Sequence, residues 1–325
     1  MTFSFDAYVT AALFDRADRA AFALGDGTVR FEGGEAIEAH PDGAVLSACL
    51  PPTGEGVLTG GDDGRVVLSA PAGAVEVARV PGRWIDAIAA SGESKLIAFA
   101  AGRDLHVRDP ADPAFARTFT HEKSVAEVAF DPKGRRLATA TYGGVALWYA
   151  RIADQKPTFL KWAGSHIAVC WSPDGKFLMS AMQENQLHGW RVADEKNMRM
   201  GGYPSKVRSL AFLSKGKLMA TSGANGAVCW PFLGPAGPMG QQAAEIGYDD
   251  SALTTRIAAA ADRPWLAAGL DDGRVWAAEV SGERMVPLKS EKGAAITALA
   301  ISADARRVAW GDEDGAAGVI EIGPI

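Results

Sequence analysis

Five histidines and three cysteines are the residue types in this chain that could bind a metal ion. They are His40, His106, His121, His166 and His188, with Cys49, Cys170 and Cys229. His166 and Cys170 stand four residues apart, which is about 13 Å along a strand, so they cannot share one ion. The sequence has no CxxC or HxxxH pair of the kind that holds zinc. We therefore expect no metal site, although segments distant in sequence could still meet to form one.

The sequence contains no motif that is typical of a catalytic nucleophile or of a phosphate-binding loop. The chain has no G-x-S-x-G nucleophile elbow, and the cysteines lie in apolar, strand-like segments where burial explains them. The spaced glycines of GEGVLTG (54–60) precede no helix, which a phosphate loop requires. We expect no catalytic residue and no cofactor, and predict that the chain is not an enzyme.

The charge balance constrains the partners. The 325 residues carry 33 basic and 39 acidic side chains, a net charge of −6, without a basic run. Nucleic acids and anionic membranes both attract basic surfaces, so neither is an expected partner. The N-terminus lacks the pattern of a secretory signal, and no apolar run approaches the ~18 residues of a membrane span. We expect a cytoplasmic monomer with reduced cysteines.

An internal repeat dominates the sequence. VAFDPKGRRLAT (128–139) and VCWSPDGKFLMS (169–180) belong to repeats that contain a strand, a turn, a second strand, a small-residue turn and a third strand ending in an aromatic. A period near 40 residues with several short strands is typical of propeller blades. One small position runs through eight repeats, namely Leu13, Cys49, Ala89, Ala129, Cys170, Ala211, Ala258 and Ala300.

The repeat predicts an all-β fold, a β-propeller of four-stranded antiparallel blades, with eight blades and seven as the alternative. Small residues suit a first strand beside the propeller axis, where space is limited. RIAAAAD (256–262) would favour helix by propensity, but its place in the repeat predicts a strand. The last repeat lacks a fourth strand, and TFSFDA (2–7) is spare, so the N-terminal strand should close the ring. We predict one domain, 1–325.

The motifs VAFDPKGRRLAT, VCWSPDGKFLMS and VALWYA resemble those of the WD-repeat family. The resemblance covers nearly the whole chain and implies a scaffold that binds other proteins. His121 matches the family's histidine and Trp148 its tryptophan. No repeat ends in Trp-Asp, and Gly143–Gly144 stands where an aspartate would bond His121. Asp62 matches that aspartate in another repeat, but His40 is one residue out of place. We therefore expect no intact buried His–Asp–Trp network.

Two further segments, LHGWRVAD and MRMGGYP, resemble a bacterial branch of these proteins. The resemblance implies a link to metal handling, because genes of that branch tend to lie near those of metal-handling GTPases.

Loops that join the repeats, and the acidic turns between second and third strands, should share one face of the propeller. Aromatic residues are enriched in binding hot spots, and loops on a rigid scaffold commonly carry function. Our candidate partner-binding residues are Trp84, Arg83, His121, Trp162, His166, Tyr203, Lys206 and Glu184. The main hypothesis is a protein-binding platform. The alternative is a propeller enzyme, or a protein with a small-ligand or metal site at the channel mouth.

Overall fold

The computed structural model describes residues 1–323, and its strands form seven antiparallel sheets, six of four strands and one of six. Clustering of contacts divides the chain into two compact units, residues 15–171 and residues 1–14 with 172–325. We call these the 15–171 unit and the 172–325 unit. In the described residues the only helix is a single 3-10 turn, Ser214–Gly216.

The 15–171 unit contains fourteen strands. They are β3 (Ala20–Leu24), β4 (Thr28–Phe31), β5 (Ala36–Glu38), β6 (Val45–Cys49), β7 (Val57–Gly61), β8 (Arg65–Ala70), β9 (Gly73–Arg79), β10 (Ala87–Ala90), β11 (Ile97–Ala101), β12 (Asp104–Asp109), β13 (Asp112–Thr120), β14 (Glu127–Phe130), β15 (Arg136–Tyr149) and β16 (Thr158–Trp171). Strands β6–β9 and β10–β13 each form a sheet in chain order.

Within the described residues, the 172–325 unit contains sixteen strands. They are β1 (Thr2–Ser4), β2 (Val9–Phe14), β17 (Phe177–Met182), β18 (Leu187–Arg191), β19 (Lys196–Met200), β20 (Leu210–Leu213), β21 (Leu218–Thr221), β22 (Ala227–Pro231), β23 (Ala244–Ile246), β24 (Thr254–Ala259), β25 (Trp265–Leu270), β26 (Val275–Glu279), β27 (Met285–Lys289), β28 (Ile296–Ile301), β29 (Arg307–Asp312) and β30 (Ala316–Glu321). The strand predicted over RIAAAAD (256–262) is confirmed for residues 256–259, which belong to β24.

The predicted eight separate blades require correction, because the described strands form seven sheets. All eight sequence repeats supply strands, but β15 and β16 are each 14 residues long, so two of the predicted strands run together in each of them. Strand β15 continues through Gly143 and Gly144 with a register shift, and β16 continues through residues 162–166. The segment there, WAGSH, contains no Pro, so each of its residues keeps a backbone N–H group that can pair within a sheet.

First strands of successive repeats lie side by side within each unit. In the 15–171 unit, β10 contacts both β6 and β14, and β14 also contacts β16. In the 172–325 unit, β24 contacts both β20 and β28, and β28 also contacts β2. These strands carry the small side chains of the repeated position, as expected for strands that converge.

The core lies between neighbouring sheets. In the 15–171 unit, Leu96, Leu105 and Leu137 are completely buried, and Phe119 stacks on Trp148 at a ring separation of 4.7 Å. Each buried leucine contributes about 1.5–3 kcal/mol through loss of apolar surface from water. The sheet of β10–β13 and the neighbouring strands β14–β16 are therefore held together by apolar packing.

The N-terminal strand completes the last sheet, as predicted. Strand β1 pairs antiparallel with β30, with Thr2 opposite Gly318 and Phe3 opposite Ala317. The terminal ammonium group of Met1 donates a hydrogen bond to the Val319 carbonyl at 2.9 Å. This pairing covers the edge that β30 would otherwise expose. The prediction of a single domain over residues 1–325 stays a prediction.

Candidate interaction surface

Loops of the 15–171 unit, together with residues 140–144 in the middle of β15, lie along one edge and are held by backbone hydrogen bonds. The amide of Val80 donates to Gly64, and that of Ile85 donates to Gly61. The amide of His121 donates to Arg103. We call this edge, formed by residues 61–64, 80–85, 102–103, 121–125 and 140–144, the loop edge. These paired backbone groups make it a fixed surface.

Trp84 is the most prominent side chain of the loop edge. It lies between β9 and β10, and 65% of its surface is exposed. Arg83 beside it is also exposed. Burial of such a ring by a partner would remove a large apolar area from water. The structure thus places both predicted residues where a partner could reach them.

A cleft of about 360 Å³ lies on the same edge and was not predicted. It is lined by Tyr142 and Phe159, together with His121, Lys123 and Trp148. Tyr142 is 64% exposed and Phe159 is 45% exposed. Sequence analysis missed both, because it placed Tyr142 in a turn judged only by its glycines. The aromatic that directly precedes Gly143–Gly144 is the signal that could have revealed it.

His121 is buried and forms part of the inner wall of this cleft. Its Nδ1 group donates to the Arg103 carbonyl at 3.0 Å, which leaves Nε2 as an acceptor. The Trp148 indole donates to Nε2 at 2.9 Å, and the Thr139 hydroxyl lies 2.8 Å from the same atom. Burial lowers the pKa of His121, so the imidazole is neutral. Both ring nitrogens of His121 are therefore engaged in hydrogen bonds within the protein, and one of these bonds holds Trp148 in place.

A related network surrounds His40. Its Nδ1 atom lies 2.9 Å from the Asp63 carboxylate, and its Nε2 atom lies 2.8 Å from the Thr59 hydroxyl. The expected match of Asp62 to the family's aspartate was wrong, because Asp62 instead accepts the Ala44 amide at 2.8 Å. Burial alone would raise the pKa of Asp63, but hydrogen bonds from Arg65 and His40 outweigh it and lower the pKa.

Tyr203 takes the place of the histidine in a later repeat. The Trp230 indole donates to its hydroxyl at 2.6 Å, and Thr221 Oγ1 lies 2.7 Å from it. Burial raises the pKa of Tyr203 to about 12, so the phenol stays protonated. Thr59, Thr139 and Thr221 each donate to a carbonyl of the third strand. The repeated threonine, 18 or 19 residues after the ring, was the signal that sequence analysis missed.

The remaining candidate residues differ in how exposed they are to solvent. Trp162 and His166 were predicted in a loop, but both lie within β16, and His166 is fully buried, with Nε2 at 3.1 Å from the Trp162 carbonyl. Lys206 is half-buried and Glu184 is exposed. Within the 15–171 unit, Trp84, Arg83 and His121 therefore share the loop edge. The binding roles of all eight residues stay predictions.

Carboxylates at the turns mainly bind the backbone. Asp271 accepts the Leu253 amide at 2.9 Å, and Asp312 accepts the amides of Asp314 and Ala316 at 3.1 and 2.8 Å. These bonds fix the turns between second and third strands. Across residues 1–323, no group of three or more His, Cys, Asp or Glu side chains is placed to hold a metal ion.

Glu127, on first strand β14, has an unusual environment. Burial raises the pKa of its carboxyl group to about 7, and the negative charge of Asp86 adds to this effect. Burial likewise raises the pKa of the Cys49 thiol to about 12, with Glu127 acting in the same direction. The first strands of the 15–171 unit thus bring together groups that favour their neutral forms.

Replacement of Glu127 by Gln is expected to stabilise the protein in a pH-dependent way. Because the folded-state pKa of about 7 exceeds the ordinary 4.5, stability of the native chain falls as the pH rises from about 4.5 to 7 and stays low above it. The glutamine variant avoids this loss. It should match the native chain near pH 4 and exceed it by about 1–3 kcal/mol at pH 8.

Denaturant unfolding at pH 4, 6 and 8 would measure this difference. Glu122→Gln, at an exposed position of the loop edge, is the matched control and should show no such trend. A constant difference between Glu127→Gln and the native chain at all three pH values would contradict the prediction.

The described sheets and their adjacent first strands define the class of the protein, which is an all-β propeller built from four-stranded antiparallel blades. Residues 35–68 match the WD40 family model, described as "WD domain, G-beta repeat". The chain thus contains a WD repeat, and its resemblance to WD-repeat proteins is confirmed.

Two comparisons with individual proteins agree with this class. The chain is 23% identical over 191 residues to pre-mRNA-processing factor 19 homolog 2 of Arabidopsis thaliana, a match that covers 54% of this chain and 35% of the relative. The chain therefore spans about a third of that relative's length. The crystal structure of the computationally designed Ika8 protein is 18% identical with a TM-score of 0.78, and the match covers 98% of this chain and 97% of that chain. This second likeness shows the fold alone.

Within residues 1–323, the structure contains no helix with the length and apolar character needed to span a lipid bilayer.

Proposed function

We propose that this protein is a non-catalytic scaffold that binds a protein partner through the loop edge of the 15–171 unit. The observation that carries the proposal is the exposure of Trp84 and Tyr142 on an edge whose backbone is fixed by hydrogen bonds. Exposed aromatic rings on a rigid surface are the usual anchors of protein interfaces. A fixed surface also loses little conformational entropy when it binds.

The cleft between Tyr142 and Phe159 suggests what the partner presents. Its volume of about 360 Å³ suits one apolar or aromatic side chain, with Lys123 and Glu122 beside it for polar contacts. His121 and Trp148 form its inner wall and are held by their own hydrogen bond. A partner side chain would enter a pocket that already has its bound shape.

The scaffold is further proposed to be a monomer in the bacterial cytoplasm, without nucleic-acid or membrane partners. The net charge of −6 supports the exclusion of polyanions. The link to metal handling rests on the resemblance of LHGWRVAD and MRMGGYP to a bacterial branch of the family. In this proposal the partner, rather than this chain, carries out any metal chemistry.

Trp84→Ala and Tyr142→Ala are each expected to reduce partner recovery at least about tenfold in affinity capture from lysate of the source organism, since removal of a hot-spot ring costs about 2 kcal/mol or more. Tyr149→Ala is the matched control. Tyr149 is 53% exposed and is the last residue of β15, whereas Tyr142 lies in the middle of that strand. The control should retain the partner, whereas equal recovery by all three variants would refute the assignment of the loop edge.

A further inference from the structure

A small pocket in the 172–325 unit concentrates positive charge in an otherwise acidic protein. Its volume is about 310 Å³, and Lys206, Arg208, Arg256 and Tyr8 contribute to its lining. The lining residues belong to the segments before β2, β20 and β28, to the starts of β24 and β28, and to the turns after β25 and β29. The pocket is therefore formed where first strands of this unit lie side by side.

Arg256 is positioned by the backbone around it. Its Nε group donates to the Thr297 carbonyl at 2.6 Å, and Nη1 donates to the Thr255 carbonyl at 3.1 Å. A guanidinium group has five N–H donors, so three are left after these two bonds. Burial lowers the pKa of Arg256, with Arg208 acting in the same direction and Tyr8 in the opposite one. An anion in the pocket would offset both the burial and the repulsion between the arginines.

The cations of this pocket are not neutralised by direct ion pairs. Among the residues that the structure describes, Lys206, Arg208 and Arg256 form no ion pair within 4.0 Å. Two carboxylates also line the pocket, but both bind the backbone. Asp271 accepts the Leu253 amide at 2.9 Å, and Glu313 accepts the Ala295 amide at 3.5 Å. Three cations against two engaged carboxylates leave a net positive site.

We propose that this pocket binds a phosphate monoester group. Such a group brings up to two negative charges and three strong acceptor oxygens, which matches two arginines, one lysine and a tyrosine hydroxyl better than a singly charged carboxylate would. The group could belong to a phosphorylated side chain of a partner or to a small phosphate ester. The site lies wholly in the 172–325 unit and does not depend on the loop edge.

The test is titration of the full chain with inorganic phosphate by calorimetry, with sodium chloride at equal ionic strength as the reference. Binding in the millimolar range is expected. Arg208→Gln should weaken it about tenfold or more, because a hydrogen bond to a charged group is lost. Arg208 is exposed, so this variant should fold normally; Arg256→Gln, which also loses backbone contacts, is the second variant. Arg263→Gln removes the same charge at an exposed turn outside the pocket and should bind phosphate normally.

Two further probes separate the sources of the group. Tighter binding of a short phosphoserine peptide than of glycerol 3-phosphate would assign the site to a phosphorylated partner, and the reverse order would assign it to a small phosphate ester. The proposal is overturned if the native chain shows no phosphate binding above the chloride reference. It is also overturned if Arg208→Gln binds as well as Arg263→Gln, or if acetate binds as tightly as phosphate.

Discussion

Gly27→Ala is expected to destabilise the protein by about 3–5 kcal/mol, far more than most single substitutions. Gly27 forms the turn between β3 and β4 with φ of +85°, a conformation that costs an alanine about 1–2 kcal/mol. A Cβ atom there would also collide with the backbone carbonyl oxygens of His40 and Gly43. Because the Gly27 carbonyl accepts the amides of Ala39 and His40, the clash cannot be relieved by a simple shift of the turn.

Gly33→Ala supplies the matched control for this prediction. Gly33 has a similar φ of +71°, but nothing lies within 4 Å of its added Cβ atom. The free energy of unfolding of Gly33→Ala should therefore fall only by the conformational cost of about 1–2 kcal/mol. Free energies of unfolding measured in denaturant would compare the two variants. Equal losses would show that the close approach at Gly27 has no energetic consequence.

His121→Ala is the second substitution with a large expected effect, a loss of about 2–4 kcal/mol in the free energy of unfolding. The change leaves the Trp148 indole N–H without its acceptor and opens a cavity beneath the cleft. Lys123→Ala, an exposed change in the same loop, should cost less than about 0.5 kcal/mol. If His121→Ala also lowered the free energy of unfolding by less than about 0.5 kcal/mol, the hydrogen-bond network of His121 and Trp148 would contribute little to stability.

The pH dependence gives a second measurement of the same network. Because burial lowers the pKa of His121 in the folded state, the unfolded chain takes up a proton first as the pH falls through the ordinary value of 6.5. The native protein should thus lose stability below about pH 6.5. The part of this loss that is due to His121 should disappear in the alanine variant.

Much of the fold could be predicted from the sequence, because the repeat encodes it directly. The small residue at one position of each first strand and the spare strand at residues 2–7 identified the adjacent first strands and the β1–β30 pair. The division into sheets was not predictable in the same way. Gly164 and Ser165 are residue types that are common in turns, so WAGSH favoured a break, whereas β16 continues through it.

The candidate site was predicted less completely, for a different reason. Exposure of Trp84 followed from its loop, but burial of Tyr203 depends on Thr221 and Trp230, which lie 18 and 27 residues away. Tyr203 occupies the place of a histidine, so the family pattern did not identify its role. The Arg208 and Arg256 pair was equally hidden, because each belongs to a different repeat.

The antiparallel pair of β1 and β30 joins two strands that lie more than 300 residues apart along the chain, with Thr2 opposite Gly318. On the ribosome, this sheet cannot form until β30 has been synthesised, and until then Thr2–Ser4 remains without its partner strand. Contacts of such sequence separation slow folding and lengthen the exposure of aggregation-prone edges. Nascent copies of this protein should consequently depend on chaperones until β30 has been synthesised.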